Sequence, residues 1–389
     1  MKFNSKNKIS YGKQFIDSND IKIVGESLKE EFITTGNYVK KFEKEIKKIS
    51  NSKFAYTCVN ATAGLHLAFL SISLKKNDIV VMPAINFISA FRMANLLGAK
   101  IYLADVDPLS GQMTPETLKK CIKKNNLKKI KLILTMFLGG YPENANKFFA
   151  LKKKYKCFLI EDACHAFGAR YKINNKFIPV GSCKHSDMCV FSFHPVKPIT
   201  TGEGGAVTTN NRKIANEIVL RRNHGIVKSE YYWNYDINKL GFNYRLSDLN
   251  CSLGVSQIKK LSLFVKKRKK IFSLYKDKFL KHSKYIKIFD SSKNLNSFHL
   301  ILVSIDFNKL KYKKNHMLNY LNNKNIFPQF HYKPIYRFSF YKKFNRNFFS
   351  GSEFFYKNSF SLPIYHSLTK QKQFKVIEKI LEYIYKYKK

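Results

Sequence analysis

The feature that most constrains the fold is the alternation of short apolar segments with helical patterns between residues 53 and 210. We predict strands at residues 54–59, 79–82, 100–104, 131–136, 157–160, 188–193 and 206–208. We predict helices between several of them, at residues 62–74, 87–97 and 114–124. Strands that alternate with helices form a mainly parallel sheet covered on both faces. In such a sheet, ligands bind beyond the carboxyl ends of the strands, so those ends are where a site is expected.

The segments outside this region indicate an N-terminal arm and a second, smaller domain. Residues 1–50 hold a polar lead-in and an amphipathic helix, followed by a turn-like break at residues 32–36, and residues 211–260 read as largely helical. From residue 261 onward we predict strands at 298–305 and 326–330, a helix at 314–323, and a final helix. The apolar face of that final helix is predicted to consist of Phe374, Ile377, Leu381 and Ile384. The sequence therefore predicts an α/β protein with a large domain at residues 1–260 and a small α+β domain at residues 261–389.

The strong positive charge raises the question of a nucleic-acid partner. The formal net charge is +45, from 71 lysines and arginines against 26 acidic residues. The lysines form short runs that are spread over the whole chain, and neither zinc-finger spacing nor an RNP-type aromatic motif is present. We interpret the charge as solvated faces with some preference for polyanionic small molecules, and we expect no metal site. A basic nucleic-acid-binding protein is the alternative outside the enzymes.

Cysteine usage and hydropathy favour a cytoplasmic enzyme. The seven cysteines are an odd number without a C-x-x-C pair, so we expect reduced, packed thiols. No apolar run reaches the length of a membrane span, and residues 1–6 lack the apolar core of a signal peptide. We therefore expect neither a membrane nor an export signal.

One lysine stands in an unusual setting. Lys197 lies between Pro195 and Pro198, after the apolar run at residues 188–193 and before a glycine cluster at residues 202–205. The prolines restrict the backbone and are expected to favour extended conformations at Val196 and Lys197, while the glycines permit a close backbone approach. This pattern predicts a strand, a rigid loop and a second strand with Lys197 at the tip. A desolvated amine there could form a Schiff base, and a solvated surface charge is the alternative.

Two other strand ends carry polar groups. At residues 58–65 a strand gives way to a helix, whose first N–H groups could bind a phosphate. The strand before residue 163 ends in Asp162, with His165 three residues on, and Glu161 should point to the other face. A helix N-cap at Asp162 and a structural polar contact at His165 are the alternatives. A phosphate cradle, a carboxylate and an amine at strand ends of one sheet together indicate a pyridoxal phosphate site.

Four segments, residues 60–65, 161–166, 192–205 and 241–247, resemble the DegT/DnrJ/EryC1 family of nucleotide-sugar aminotransferases. Residues 194–201, 223–228 and 331–336 narrow the resemblance to enzymes of pseudaminic acid biosynthesis. The resemblance implies a fold type I, aspartate-aminotransferase-like homodimer with shared active sites and pyridoxal 5′-phosphate as cofactor. It further implies amino transfer from glutamate to the 4-keto carbon of a UDP-linked 4-keto-6-deoxy-N-acetylhexosamine. A different 4-keto or 3-keto nucleotide sugar is the alternative.

The resemblance also implies roles for individual residues. Lys197 would hold the cofactor covalently and Asp162 would pair with its ring nitrogen. The phosphate would be held by Asn60, Ala61, Ser192 and the partner chain's copy of Asn243. In this cradle Ala61 offers no side-chain hydroxyl, so backbone N–H groups would act there. Phe87 would stack on the ring and His165 would lie near its hydroxyl. The residues expected to bind the nucleotide sugar are Tyr11, Glu31, Phe32, Ile33, Thr34, Gln329, Phe330, His331, Tyr332 and Ser339.

Overall fold

The computed structural model of the chain describes residues 8–231, 233–291, 293–341 and 348–389. Residues 1–6, which are predicted to lack the apolar core of a signal peptide, lie outside this described part. Strands and helices alternate from residue 54 to residue 162, as the hydrophobic pattern predicted, and residues 170–209 add four further strands without a helix between them. Among the described residues, no helix combines the length and the hydropathy that crossing a membrane requires.

The elements are numbered in chain order. The strands are β1 (Ile9–Ser10), β2 (Phe54–Cys58), β3 (Ile79–Pro83), β4 (Lys100–Ala104), β5 (Leu132–Met136), β6 (Phe158–Asp162), β7 (Arg170–Ile173), β8 (Lys176–Pro179), β9 (Met188–Ser192), β10 (Gly205–Thr209), β11 (Ile226–Lys228), β12 (Tyr235–Ile237), β13 (Ile286–Ile288), β14 (Ile301–Ile305), β15 (Ile326–Phe327) and β16 (Ser359–Leu362). The helices are α1 (Ser18–Ser27), α2 (Asn37–Ser50), α3 (Ala61–Ser71), α4 (Ile88–Leu96), α5 (Pro115–Lys124), α6 (Ala145–Tyr155), α7 (Arg212–Arg222), α8 (Asp248–Lys259), α9 (Leu261–Leu280), α10 (Lys314–Asn323), α11 (Ser350–Asn358) and α12 (Lys370–Lys386).

A seven-stranded sheet forms the centre of the described structure, with the strand order β2-β10-β9-β6-β5-β3-β4. Strand β10 is antiparallel to both of its neighbours, and the strands from β9 to β4 are parallel to one another. The predicted mainly parallel sheet is confirmed, and each of its strands lies within two residues of the predicted bounds at either end. The carboxyl ends of β6 and β9 therefore open on the same edge of the sheet.

Helices cover both faces of this sheet. Helices α3, α4 and α7 pack on one face, where Phe69 and Ile218 meet strand residues such as Val190. Helices α2, α5, α6 and α8 pack on the other face, in two apolar clusters that contain Phe42 and Leu118. Thr114 caps α5, with its side chain accepting the Thr117 N–H and Pro115 in the first turn. A strand with both faces covered has no polar side, which explains its continuous apolar sequence.

The sequence prediction is wrong in two places within the first 260 residues. A second N-terminal helix, α2, follows the break at residues 32–36, where only α1 had been predicted. Residues 211–260 are not largely helical, because α7 and α8 are separated by the hairpin β11–β12. Gly225, with a φ of +78°, packs so closely against Gly241 that continuous helix is impossible there. Ser247 caps α8, with its side chain accepting the Asn250 N–H.

The C-terminal part has its own apolar core. Strands β13, β14 and β16 form an antiparallel sheet on which α9, α10 and α12 pack. Strand β1 of the N-terminal arm pairs in parallel with β15, so the arm reaches this part of the molecule. The boundary expected near residue 260 coincides with the junction of α8 and α9 and stays a prediction. Helix α10 has the predicted bounds, whereas β14 and β15 are shorter than predicted.

The buried face of α12 differs from the predicted one. Ile377 and Ile384 are buried as expected, but Phe374 is 39% exposed and Leu381 is only partly buried. The core stripe runs instead through Val376, Ile380 and Tyr383, because the helix is rotated so that its most apolar turn faces α9 and α10. The seven cysteines are all free, and all but Cys164 are buried, which confirms the expectation of packed thiols.

Candidate active site

The loop that carries Lys197 joins two antiparallel neighbours of the central sheet, β9 and β10. The Lys197 N–H donates to the His194 carbonyl oxygen at 2.9 Å, which closes a tight turn over Pro195 and Val196. The expected strand, loop and strand are confirmed. The extended conformation expected at Val196 is wrong, because the turn hydrogen bond folds the chain back at that point. Lys197 is thus held by a hydrogen-bonded turn.

The Lys197 amine is partly withdrawn from solvent. Burial lowers its pKa from the usual value, and the nearby Cys164 and Asp162 oppose that shift. A lowered pKa makes the neutral amine more available at neutral pH. The neutral amine is the nucleophile that Schiff-base chemistry requires, so the environment of Lys197 suits that reaction.

The Asp162 carboxylate lies at the carboxyl end of β6, beside Val190 of β9, and is 2% exposed. Burial raises its pKa, and the Cys164 N–H at 3.2 Å and the charge of Lys197 oppose the shift. No helix begins after Asp162, since the following residues form turns, so the N-cap alternative is wrong. Asp162 is therefore a buried carboxylate that interacts electrostatically with Lys197, and a cation brought beside it would favour its charged form.

Glu161 has a different environment from its neighbour. Burial raises its pKa to about 7. Burial also raises the pKa of Tyr171 and of Cys183, and the charge of Glu161 adds to both shifts. Glu161 pairs with Cys189, which shares an apolar cluster with Tyr171 and Cys183, so these groups lie on the face of the sheet opposite to Asp162, as expected from the alternation of side chains along a strand.

His165 makes specific hydrogen bonds. Its Nδ1 accepts the Gly139 N–H at 3.1 Å, and its Nε2 lies 3.0 Å from the Tyr332 hydroxyl. Burial lowers its pKa well below the ordinary value, and the charge of Lys197 adds to the effect. His165 is therefore neutral and links the edge of the central sheet to the segment that contains Tyr332.

The candidate phosphate cradle lies where β2, β10 and β9 are in register. Cys58, Gly205 and Ser192 stand side by side across these strands, and two residues separate the end of β2 from the start of α3. The Asn60 side chain accepts the Ala63 N–H at 2.9 Å. Among the described residues, no hydrogen-bond acceptor is recorded for the N–H groups of Ala61 and Thr62. The structure thus brings Asn60, Ala61 and Ser192 together at a helix N-terminus, which suits an anion.

A buried asparagine next to Asp162 was missed by the sequence analysis. Asn86 follows β3, is 1% exposed, and its Oδ1 accepts the Phe87 N–H at 2.6 Å. Its side chain interacts with Asp162 and lowers the pKa of that carboxyl, against the larger effect of burial. Asn86 is the third residue after a strand end, so the rule that located Asp162 could have located it too. Phe87 itself is 51% exposed, and its ring centroid lies 5.7 Å from that of Tyr332.

Several of the expected sugar-binding residues lie together. The rings of Tyr11 and His331 are 5.0 Å apart, and His331 Nδ1 lies 2.9 Å from the Ser361 hydroxyl. The Gln329 backbone pairs with Ser361, while Phe330 packs against Tyr356. Burial lowers the pKa of His331 to about 3, with a smaller effect of the Lys197 charge. These contacts place the segment 329–332 and the arm residue Tyr11 beside Lys197 and His165.

Other expected residues are not brought to this place within one chain. Residues 31–34 form an exposed loop in which Thr34 pairs with Ser247. Asn243 is exposed and pairs with Asn223, and Ser339 is exposed in the short helical segment Ser339–Tyr341. No contact recorded for the described residues joins these side chains to Lys197 or Asp162. Their assignment to the site stays a prediction that needs a second chain.

The residues present fit a pyridoxal phosphate group. A carboxylate and an amine on neighbouring strand ends match the two ends of its ring, and the free N–H groups at the start of α3 match its phosphate. The buried Asn86 side chain lies beside Asp162 and favours the charged form of that carboxyl, because its interaction lowers the Asp162 pKa. Gly205 lies so close to residues 60 and 61 that only glycine leaves this cradle intact.

Known proteins are similar to this chain along almost its whole length. Residues 14–381 match the model of the DegT/DnrJ/EryC1/StrS aminotransferase family. A UDP-4-amino-4,6-dideoxy-N-acetyl-beta-L-altrosamine transaminase from Campylobacter jejuni is 36% identical over 382 residues, covering 96% of this chain and 98% of that protein.

Solved structures share the fold. Helicobacter pylori PseC, an aminotransferase involved in the biosynthesis of pseudoaminic acid, has a TM-score of 0.88 and 27% identity, and the match covers 98% of this chain and 100% of PseC. The PLP-form of the putative sugar aminotransferase Spr1654 from Streptococcus pneumoniae has a TM-score of 0.88 and 24% identity, covering 97% and 99% of the two chains. The fold type expected from the motifs is thereby confirmed.

Proposed function

The chain belongs to the DegT/DnrJ/EryC1/StrS aminotransferase family, and we propose that it carries an amino group from glutamate to a nucleotide-linked keto sugar in pseudaminic acid biosynthesis. The proposed acceptor is the 4-keto carbon of UDP-2-acetamido-2,6-dideoxy-beta-L-arabino-hex-4-ulose. This choice is supported by the activity of the Campylobacter relative and by the pathway in which PseC takes part.

One observation carries the proposal. The Lys197 amine and the Asp162 carboxylate interact electrostatically across the carboxyl edge of one sheet, next to a helix N-terminus with free N–H groups. Pyridoxal phosphate joins an aldehyde carbon, a ring nitrogen and a phosphate in one small rigid molecule, so it needs these three partners together. When bound, it supplies an electron-accepting ring that lets the amino donor's Cα lose a proton.

Each residue then has a defined task. The Lys197 amine moves a proton between the donor's Cα and the cofactor's C4′ carbon, for which its lowered pKa is suited. The Asp162 carboxylate keeps a proton on the ring nitrogen, because a buried negative charge stabilises a positive one beside it. Phe87 covers one ring face, and Tyr11 with residues 329–332 orients the sugar.

We further propose that the active enzyme is a homodimer. Phe32 and Ile33 are 59% and 47% exposed, which is more apolar surface than a solvated loop needs. In a shared-site dimer these residues and Asn243 would contribute to the partner's site. The cytoplasmic location stays a prediction.

Purified protein, glutamate and a panel of 4-keto and 3-keto nucleotide sugars test the proposal. We expect 2-oxoglutarate and a 4-amino sugar from the L-arabino substrate, identified by mass and NMR. A higher kcat/KM for another keto sugar would contradict the proposed substrate but not the class of reaction.

A matched pair of variants tests the site itself. Lys197→Ala should lose turnover and also lose the covalent cofactor adduct that borohydride reduction forms on the wild-type protein. Lys213→Ala removes an exposed lysine at the start of α7 and should keep both. A Lys197→Ala protein that still turns over would overturn the assignment.

A further inference from the structure

The hydrogen bonds of His165 determine which of its ring nitrogens carries the proton. Nδ1 accepts the Gly139 N–H, so Nδ1 must present a lone pair. A neutral imidazole carries its proton on the other nitrogen, which is Nε2. Nε2–H therefore donates to the Tyr332 hydroxyl oxygen, 3.0 Å away.

His165 is held firmly in this orientation. Its carbonyl oxygen accepts the Ser297 hydroxyl at 2.6 Å, and its ring packs 4.3 Å from that of His299. Protonation of Nδ1 would break the bond to Gly139, and burial and the charge of Lys197 disfavour it further. The direction of the hydrogen bond to Tyr332 is thus set by the backbone at Gly139.

The consequence falls on the Tyr332 hydroxyl proton. Since the oxygen of Tyr332 already accepts from His165, its own hydrogen is left to donate, and no acceptor for it is recorded among the described residues. Around Tyr332 lie Phe87, Tyr11 and the negative charge of Asp162. Burial and these charges keep the phenol protonated, because they raise its pKa.

We propose that Tyr332 is a hydrogen-bond donor into the active site, and that His165 is the positioning residue that gives it this role. Its acceptor is an oxygen that is or becomes negatively charged. The two sources of such an oxygen are the phenolic oxygen of the pyridoxal ring and the ketone oxygen of the sugar. The inference rests on the proposed cofactor site and adds a residue with a defined donor direction to it.

Two tyrosine variants form the matched test. Tyr332→Phe removes the proposed donor. Tyr336→Phe removes the hydroxyl of the tyrosine four residues further along the chain, and that hydroxyl donates to Glu353. In the first experiment, the pH of each variant with bound cofactor is varied while the visible absorbance of the chromophore is followed. In the second, the pyridoxamine form of each variant is titrated with the keto sugar and with the amino product.

The two possible acceptors give different results. If the acceptor is the cofactor's phenolic oxygen, Tyr332→Phe raises the pH midpoint of the chromophore by about one unit, a tenfold change in proton affinity. If the acceptor is the ketone oxygen of the sugar, Tyr332→Phe leaves the pH midpoint of the chromophore unchanged. It then lowers the affinity for the keto sugar about tenfold, while the affinity for the amino product stays the same. Tyr336→Phe should match the wild type in both experiments.

Variants of His165 test the positioning role. Glutamine offers an oxygen to the Gly139 N–H and an N–H to Tyr332, so His165→Gln should keep the wild-type value of whichever quantity Tyr332→Phe changes. Leucine offers neither the acceptor for Gly139 nor the donor for Tyr332. His165→Leu should therefore change that quantity in the way that Tyr332→Phe does. Equal behaviour of the glutamine and leucine variants would overturn the role of His165.

The remaining outcomes separate this inference from the proposed function. If the wild type forms its chromophore and Tyr332→Phe matches Tyr336→Phe in both titrations, the donor role is wrong and the proposed function stands. If the wild type takes up no pyridoxal phosphate, the proposed function fails and the inference fails with it.

Discussion

Gly205 and Ala61 approach so closely that a Cβ on Gly205 would stand 2.7 Å from the Ala61 amide nitrogen. Gly205 begins β10 and Ala61 begins α3, so this contact joins the strand after the Lys197 loop to the proposed phosphate cradle. The approach leaves the Ala61 N–H at the mouth of the cradle instead of behind a side chain.

Gly205→Ala should therefore push the start of α3 out of place. We expect the affinity for pyridoxal phosphate to fall at least about tenfold and the free energy of unfolding to drop by about 1–3 kcal/mol, as in other overpacked sites. Absorbance titration of the apoprotein and urea unfolding measure the two effects. Gly25→Ala is the control, because nothing lies within 4 Å of its Cβ position. Unchanged cofactor affinity in Gly205→Ala would show that the cradle lies elsewhere.

Asp162→Asn should lower kcat by at least about a hundredfold while the cofactor still binds, because a neutral amide no longer keeps the ring nitrogen protonated. Steady-state kinetics and the absorbance of the bound cofactor measure this. Glu161→Gln changes the neighbouring carboxyl on the opposite face and should retain near-wild-type kcat. Equal activity of both variants would contradict the role of Asp162.

Mixed dimers test whether Asn243 acts across the subunit boundary. Asn243→Ala and Lys197→Ala should each be nearly inactive alone. After unfolding and refolding together, half of the dimers are mixed and each has one intact site, so activity should recover to about a quarter of wild type. If Asn243 serves its own chain, mixing restores nothing.

Glu161 should make stability depend on pH. Its pKa is raised from 4.5 to about 7 in the folded protein, so between these values the folded state holds more protons than the unfolded state. The stability that Glu161 contributes is complete below the lower value and is lost as the pH rises through about 7. Glutamine at position 161 does not titrate. As the pH rises from about 5 to about 8, the free energy of unfolding of the wild type should therefore fall by up to about 3 kcal/mol relative to that of Glu161→Gln. A constant difference between the two in urea unfolding would contradict the buried, protonated carboxyl.

Particular residues show how far sequence reasoning reaches. The strands that end at Asp162 and before Lys197 were predictable because buried parallel strands are short, apolar and bounded by polar or glycine residues. The hairpin after α7 was not, because its side chains are mostly exposed and its geometry depends on Gly225 meeting Gly241. The orientation of α12 was also mispredicted, since several registers of an apolar stripe are possible on a helix with so many hydrophobic residues.

By itself the sequence determined the alternating sheet and the residue types at its carboxyl edge, because backbone periodicity and strand-end chemistry are local properties. Only the tertiary structure decided that His165 reaches Tyr332, that Gly205 presses on Ala61, and that Asn86 is buried beside Asp162. These relations join residues far apart in the chain. Their distances follow from how helices and strands pack in three dimensions, and no local pattern encodes them.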